Sequence, residues 1–302
     1  MIDHSKSYRK YLDPATVSKL DSLELKARMV VEGFKVGLHK SPYHGFSVEF
    51  SEHRSYMQGD PIRNIDWKVY AKSEKYFIKQ FEEETNLISH VIVDVSKSMD
   101  YKHDAEITKL EYAHILASSL IYLMMQQQDS VGLALYSDKI EQYLKPKSAK
   151  IYLPELLKAI NNTTPSNRTL TANCLNEIAD KIKRRGLVII ISDFFDDPDL
   201  ILSALKRFHY KKNEVIVFQL LDPIEKSFAF GRDAIFVDKE TDEEMSTQPY
   251  QIQKAYQKTM KDYLAKIKKE CLSFGIEYNL IDTTTPFDKA LFSYFKKRSH
   301  LN

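Results

Sequence analysis

From about residue 85 onward the chain follows one grammar, in which short β-branched apolar runs alternate with long amphipathic helical stretches. That alternation produces a doubly wound α/β fold, a mostly parallel sheet flanked by helices. Val91-Ile92-Val93, closing on Asp94, is the first such run, and Leu187-Val188-Ile189-Ile190-Ile191, closing on Ser192-Asp193, is the strongest. Apolar runs of this kind belong to strands buried on both faces. Between them, Thr108-Lys109-Leu110-Glu111 spells a helix-capping box, and Leu110, Leu116, Leu120 and Leu123 supply the apolar face behind it. Val131, Leu133 and Leu135 lead into a Ser137-Asp138-Lys139 turn, with residues 140–144 as the returning hairpin strand. Helices are expected over residues 149–160 and 171–185. The second closes on Lys181, Lys183, Arg184 and Arg185, cations suited to the negative end of a helix dipole, with Gly186 as its C-cap. Asp197-Pro198 opens another helix; strands follow at 215–220 and 276–281, an added hairpin near 235–237, a long helix over 249–274 and a last one after Pro286.

The first part of the chain reads differently. Asp13-Pro14 has the form of an N-cap followed by proline at the first helical position, residues 15–31 make one or two helices, and Gly33 and Gly37 break the pattern. From Gly45, Phe46, Val48 and Phe50 alternate with Ser47, Glu49 and Ser51 as in a half-exposed strand. The expected division is a helix-plus-strand region over 1–86 and an α/β domain over 87–302, since no Gly/Ser linker interrupts the second part.

Charge and targeting signals narrow the function classes. Lys and Arg number 44 against 42 Asp and Glu, a net +2, which gives no general attraction to nucleic acid or anionic membrane. Cys174 and Cys271 are far apart and belong to no Cys/His metal spacing, so they read as free thiols. The polar N-terminus carries no signal core and no run reaches the roughly 18 apolar residues of a membrane span, so the expected location is the cytoplasm.

The chemistry concentrates at Asp94-Val95-Ser96-Lys97-Ser98. Asp94, Ser96 and Ser98 occupy alternate positions leaving a central strand, so an extended loop aims all three side chains one way, at the edge where open α/β sheets bind ligands. Three oxygens on one wall suit a hard cation, Mg²⁺ or else Mn²⁺ or Ca²⁺, and the absence of thiol and imidazole argues against zinc. Thr169, ahead of a helix, and Asp193, at the end of the Ile-rich strand, fall on loops at the same edge. The nine histidines form no metal motif and read as surface or packing.

The Asp94–Met99 segment resembles the metal-ion-dependent adhesion site of von Willebrand factor A domains. That resemblance implies that Asp94, Ser96 and Ser98 form the first ligand loop, that Thr169 (less well Thr171) is the second-loop threonine and that Asp193 is the third-loop aspartate. A second stretch narrows it: residues 54–67, with Arg54, Tyr56, Gly59, Asp60, Arg63, Asp66 and Trp67, followed by Gln80-Phe81-Glu82-Glu83-Glu84, is similar to the region before the A domain in the bacterial family called domain of unknown function 58. Members of that family resemble partners of MoxR-type AAA+ ATPases, and many carry N-terminal membrane helices that this chain lacks. By residue chemistry alone the 54–67 element reads as a packed corner in which an Arg/Asp pair lies against the Trp67 indole, or else as a partner-binding element.

A cation held mainly by neutral hydroxyls keeps its electrophilicity and seeks an outside oxygen, so the expectation is a non-enzymatic protein-interaction module whose partner supplies an acidic residue. The resemblance implies an adaptor or co-chaperone of a MoxR-type ATPase. The rival is a Mg²⁺-dependent phosphohydrolase with Asp94 as nucleophile. Against it, Ser96 stands where haloacid-dehalogenase-type enzymes place a second acid, no general acid or base is evident near the motif, and no phosphate-binding glycine loop is present.

Overall fold

The computed structural model of the chain describes residues 12–39, 53–55, 67, 70–71, 76–79, 87–165, 170–231, 234–237 and 244–298. Near the N-terminus α1 (Pro14–Val17) is capped by Asp13, whose carboxylate accepts from the Thr16 amide at 3.0 Å. It is followed by α2 (Leu23–His39), which runs straight through Gly33 and Gly37 rather than ending there. Each interior glycine costs roughly 1 kcal/mol of helix propensity, but Val30, Val31 and Phe34 are buried and Phe34 stacks on Phe295 at 5.1 Å, so packing overrides the local preference.

The short strands β1 (His53–Ser55) and β2 (Phe77–Lys79) pair antiparallel. They belong to a compact unit over Leu38–Thr85, whereas the helices up to Gly37 belong with Asn86–Asn302. A single cut at residue 86 therefore does not describe the molecule: the smaller unit is an insertion between the first helices and the sheet. The strand expected around Phe46, Val48 and Phe50 lies outside the described residues.

The larger unit is built on β3 (Ile88–Asp94), β4 (Ser130–Tyr136), β5 (Ile140–Lys147), β6 (Leu187–Ser192), β7 (Glu214–Leu221) and β10 (Glu277–Asp282). The strand order is β10-β7-β6-β3-β4-β5, with every pairing parallel except the β4–β5 hairpin. Helices α3 (Lys109–Gln126), α4 (Leu153–Asn161), α5 (Thr171–Lys181), α6 (Pro198–Tyr210) and α7 (Pro223–Ser227) connect the strands, a hairpin of β8 (Ala234–Val237) and β9 (Glu244–Thr247) follows, and α8 (Pro249–Ser273) and α9 (Phe287–Arg298) frame β10. Val91, Ile92, Val93 and the whole of β6 are fully buried, as continuous β-branched runs require.

Two local expectations need correction. Helix α5 ends at Lys181, so Lys183, Arg184 and Arg185 lie beyond its last turn and are exposed. Gly186 is not a helix cap but the point where β6 approaches β3: a Cβ there would stand 2.0 Å from the Ile88 carbonyl oxygen. Residues 150–152 form a 3₁₀ turn that delays α4 to Leu153, because Pro154 suits only its first turn.

The order of connections fixes where a ligand site belongs. From β3 the chain steps to β4 on one side and later returns to β6 on the other, so the C-terminal ends of β3 and β6 border the point where the winding reverses. Open sheets bind ligands in the crevice at such a point. Val93 pairs with Ile191, which brings Asp94 level with Ser192.

Candidate functional site at the carboxyl ends of β3 and β6

Asp94 is completely buried, and among the described residues its carboxylate has neutral donors alone: Oδ1 accepts from the Ser96 amide at 3.0 Å and Oδ2 from the Ser192 hydroxyl at 2.7 Å. Burial first, and then the charge of Asp193, push the Asp94 carboxyl up to about 7, against the downward pull of those hydrogen bonds. The Ser96 and Ser98 hydroxyls stand 2.9 Å apart, but not through the expected extended loop: Ser98 lies in a 3₁₀ turn whose curl brings it back to Ser96. That turn, Lys97–Met99, anchors the loop through buried Met99.

The second loop comes from the start of α5. Its backbone is tied to the end of β4, with the Leu170 amide donating to the Ser137 carbonyl at 3.2 Å and the Val95 amide donating to the Tyr136 carbonyl at 2.8 Å. Thr169 lies outside the described residues. Thr171 is completely buried, and among the described residues its hydroxyl finds no hydrogen-bond partner; the same holds for the Tyr136 hydroxyl. Two hydroxyls without partners and a carboxylate without a basic side chain among the described residues, all on one edge, are polar groups of the kind that native interiors normally satisfy.

Asp193 occupies the expected strand end, but its carboxylate is already engaged. Oδ2 accepts from the Lys109 ammonium at 2.7 Å and Oδ1 from the Phe195 amide at 3.3 Å. Lys109 is fully buried and also donates to Glu225 Oε1 at 2.6 Å. A cation at the first position of α3 faces the unfavourable end of that helix dipole. Burial lowers its basicity, yet the two carboxylates outweigh that and hold Lys109 above its usual range. Glu225 in turn completes a capping box on α7, its Oε2 accepting from the Asp222 amide at 2.7 Å, while Asp222 accepts from the His103 amide at 2.8 Å. One lysine thus ties the α3 start, the β6 end and the loop after β7.

Lys109, Ser192, Tyr136 and Glu225 were not singled out from the sequence. Ser192 was readable as the residue before Asp193, but Lys109 sat inside a motif explained as a helix cap, and only the fold carries it 84 positions forward to Asp193. The expectation that no acid or base stands near the motif is therefore corrected. His90 is buried and His114 partly so, and burial lowers both to about 4, as packing histidines.

Hard cations accept carboxylate and hydroxyl oxygens, and the donors here fit one: Asp94 with Ser96 and Ser98 supply one wall, the Thr171 hydroxyl is unused, and local negative charge exceeds what Lys109 neutralises. Among the described residues no group of three or more His, Cys, Asp or Glu side chains is arranged to hold a metal, so a cation here would rest on hydroxyls.

In the smaller unit Trp67 is 55% exposed and meets Tyr70 edge-on at 6.0 Å, while Tyr70 stacks on Tyr76 at 4.5 Å. The indole is thus not the buried centre of a packed corner. Arg54 lies in β1, and Tyr56, Gly59, Asp60, Arg63 and Asp66 lie outside the described residues.

Comparison with known proteins gives a consistent picture. The family model described as "Protein of unknown function DUF58" matches residues 52–266. Uncharacterized proteins of Mycobacterium bovis and Mycobacterium tuberculosis are 25% identical over 234 residues, covering 76% of this chain and 72% of theirs. Among solved structures, the conserved hypothetical protein BatB from Bacteroides thetaiotaomicron has a TM-score of 0.49 at 17% identity, covering 72% of this chain and 100% of that one. An aerotolerance-related membrane protein from Bacteroides fragilis has a TM-score of 0.48 at 20% identity, covering 70% and 99%. Among the described residues of this chain no helix is long and apolar enough to cross a membrane.

Proposed function

The chain belongs to the family described as protein of unknown function DUF58, and on that footing we propose that it is a metal-ion-dependent protein-interaction module of von Willebrand factor A type, not an enzyme. Asp94, Ser96 and Ser98 would hold Mg²⁺, or else Mn²⁺ or Ca²⁺, with a second-loop hydroxyl from Thr171 or Thr169. The bound ion would supply an electrophilic vertex for a carboxylate of the partner. The chain's own residues do the rest: Ser192 and the Ser96 amide orient Asp94, while Asp193 serves through Lys109 to fix the loop and to add negative potential. The observation that carries this reading is the fully buried Asp94 carboxylate, which among the described residues has an amide and a hydroxyl as donors and no lysine or arginine, beside convergent hydroxyls at the switch point of the sheet. The partner we propose is a MoxR-type AAA+ ATPase, for which the chain acts as adaptor or co-chaperone in the cytoplasm.

The phosphohydrolase alternative needs Asp94 as a free nucleophile. Turnover would also need a general acid for the leaving group, and the nearby lysine is committed to Asp193 and Glu225. That commitment favours binding over turnover. Calorimetric titration of the purified ATPase into the wild type and into the Ser96→Ala/Ser98→Ala variant, each with Mg²⁺ and with chelator, decides the point. Mg²⁺-dependent affinity lost in the variant is expected; equal affinity in all four arms rejects the reading. Phosphatase turnover abolished by Asp94→Asn would establish the alternative.

A further inference from the structure

Immediately beside the Lys109–Asp193 pair runs an open groove of about 440 Å³, lined by Phe195 and Asp196 from the loop after β6 and by Tyr256, Thr259, Met260 and Tyr263 from α8. Three aromatic rings, a thioether and one carboxylate form an unusual wall. An acyl chain would leave Asp196 desolvated and unpaired, and an acidic side chain would meet it as a like charge. A long side chain with an apolar stem and a cationic head satisfies both parts, since cations are attracted to aromatic faces within roughly 6 Å. Phe195 already accepts one: the Lys109 ammonium lies 4.7 Å from its ring centroid.

The surrounding charge points the same way. Asp193 and Glu225 share the single ammonium of Lys109. Asp197 accepts from the amides that open α6, and Asp199 is paired with Lys266 at 2.7 Å. Asp196 accepts from the Asp197 amide at 2.7 Å, and among the described residues no lysine or arginine stands at ion-pair distance from it. Burial, followed by the carboxylates of Asp193, Asp196 and Asp197, pushes the Tyr263 phenol well above its usual range, a sign of negative potential along this side of the groove. Phe195 itself is 39% exposed, so the groove opens to solvent next to the cation edge.

We propose that this groove is a recognition pocket for an arginine or lysine side chain of a protein partner, lying next to the edge that would take the partner's acidic residue. That the occupant is a protein rests on the interaction-module reading above; the preference for a basic, long-stemmed group rests on the groove alone. The partner's docking segment is then expected to carry an acidic and a basic residue close together, a charge pattern selecting for partners that match it.

The test uses the full chain labelled with ¹³C-methyl methionine, in chelator so that no cation contributes, with Met260 as the reporter. A capped tripeptide with central arginine is titrated against the same tripeptide with citrulline, the neutral isostere. Saturable movement of the Met260 resonance by the arginine peptide alone is expected, weakened about fivefold by Asp196→Asn, a surface change that leaves the core intact, and abolished by Tyr256→Ala. Equal shifts with arginine and citrulline peptides, or no saturable shift with either, overturn the proposal. Spermidine saturating the groove well below the arginine peptide would overturn its assignment to a protein partner. Because every arm lacks metal, failure here leaves the cation reading standing, and failure of the Mg²⁺ titration leaves this one standing.

Discussion

Two fully buried carboxylates stand at opposite ends of the central strands. Asp129, just before β4 at the amino-terminal end, is gripped by Arg298 of α9, with one guanidinium nitrogen on each carboxylate oxygen, and the same arginine donates to the Tyr294 hydroxyl at 2.8 Å. Asp94, at the carboxyl-terminal end of β3, receives an amide and a hydroxyl and, among the described residues, no side-chain cation. Among the described residues the chain brings a cation of its own to the first carboxylate and none to the second. A buried charge with a built-in partner is architecture, whereas one left with neutral donors is poised for something from outside.

The contrast is open to attack, and the most damaging change is at Lys109. Replacing it with Met leaves Asp193 and Glu225 buried without compensation, and a loss of about 4 kcal/mol in urea unfolding is expected. A loss below about 1 kcal/mol would mean the lysine is not what closes that part of the edge. Arg298→Leu should cost somewhat less, about 3 kcal/mol by thermal unfolding, because the guanidinium retains some exposure at 15%. Insensitivity of that variant would remove the architectural half of the comparison.

A third way in is pH. Because Asp94 is raised to about 7 in the folded chain and titrates near its ordinary value when unfolded, the folded state binds the extra proton between about 4 and 7. Its contribution is therefore greatest below that window and declines as pH rises through it. Measured without divalent ions, the pH slope over this interval should shrink in Asp94→Asn; an unchanged slope would show that Asp94 already has a compensating charge. Burial raises the Asp129 carboxyl as well, but the hydrogen bond and charge of Arg298 oppose that rise, so Asp129→Asn should change the slope in the same direction and by less, which makes it the matched comparison. The smallest effect belongs to Ser96→Ala/Ser98→Ala, which without metal should alter stability by under about 1 kcal/mol, yet should erase the stabilisation that saturating Mg²⁺ gives the wild type, about 2.7 kcal/mol at a hundredfold excess over its Kd. Equal Mg²⁺ shifts in both proteins would strip Asp94 of its role as the open carboxylate.

The sequence by itself determined the sheet and its approximate boundaries, because β-branched runs such as 187–191 have few alternatives to burial on both faces and because Thr108 and Asp197 are local devices whose capping hydrogen bonds reach only two or three residues ahead. It also put Asp94 at a strand end with Ser96 and Ser98 just behind it, since a strand end and the residues after it are local, whereas the 3₁₀ turn that draws the two hydroxyls together departs from the extended loop the spacing implied. What only the tertiary structure decided were relations that no window of sequence contains: that α2 continues through two glycines because Phe34 finds Phe295, that Gly186 serves strand contact and not a helix end, and that the small β unit is inserted ahead of the sheet. Above all it decided that Asp193 is spoken for by Lys109 while Asp94 is not. Which of two similar carboxylates receives the cation depends on strand order and on where each helix begins, and those are set by packing the whole core.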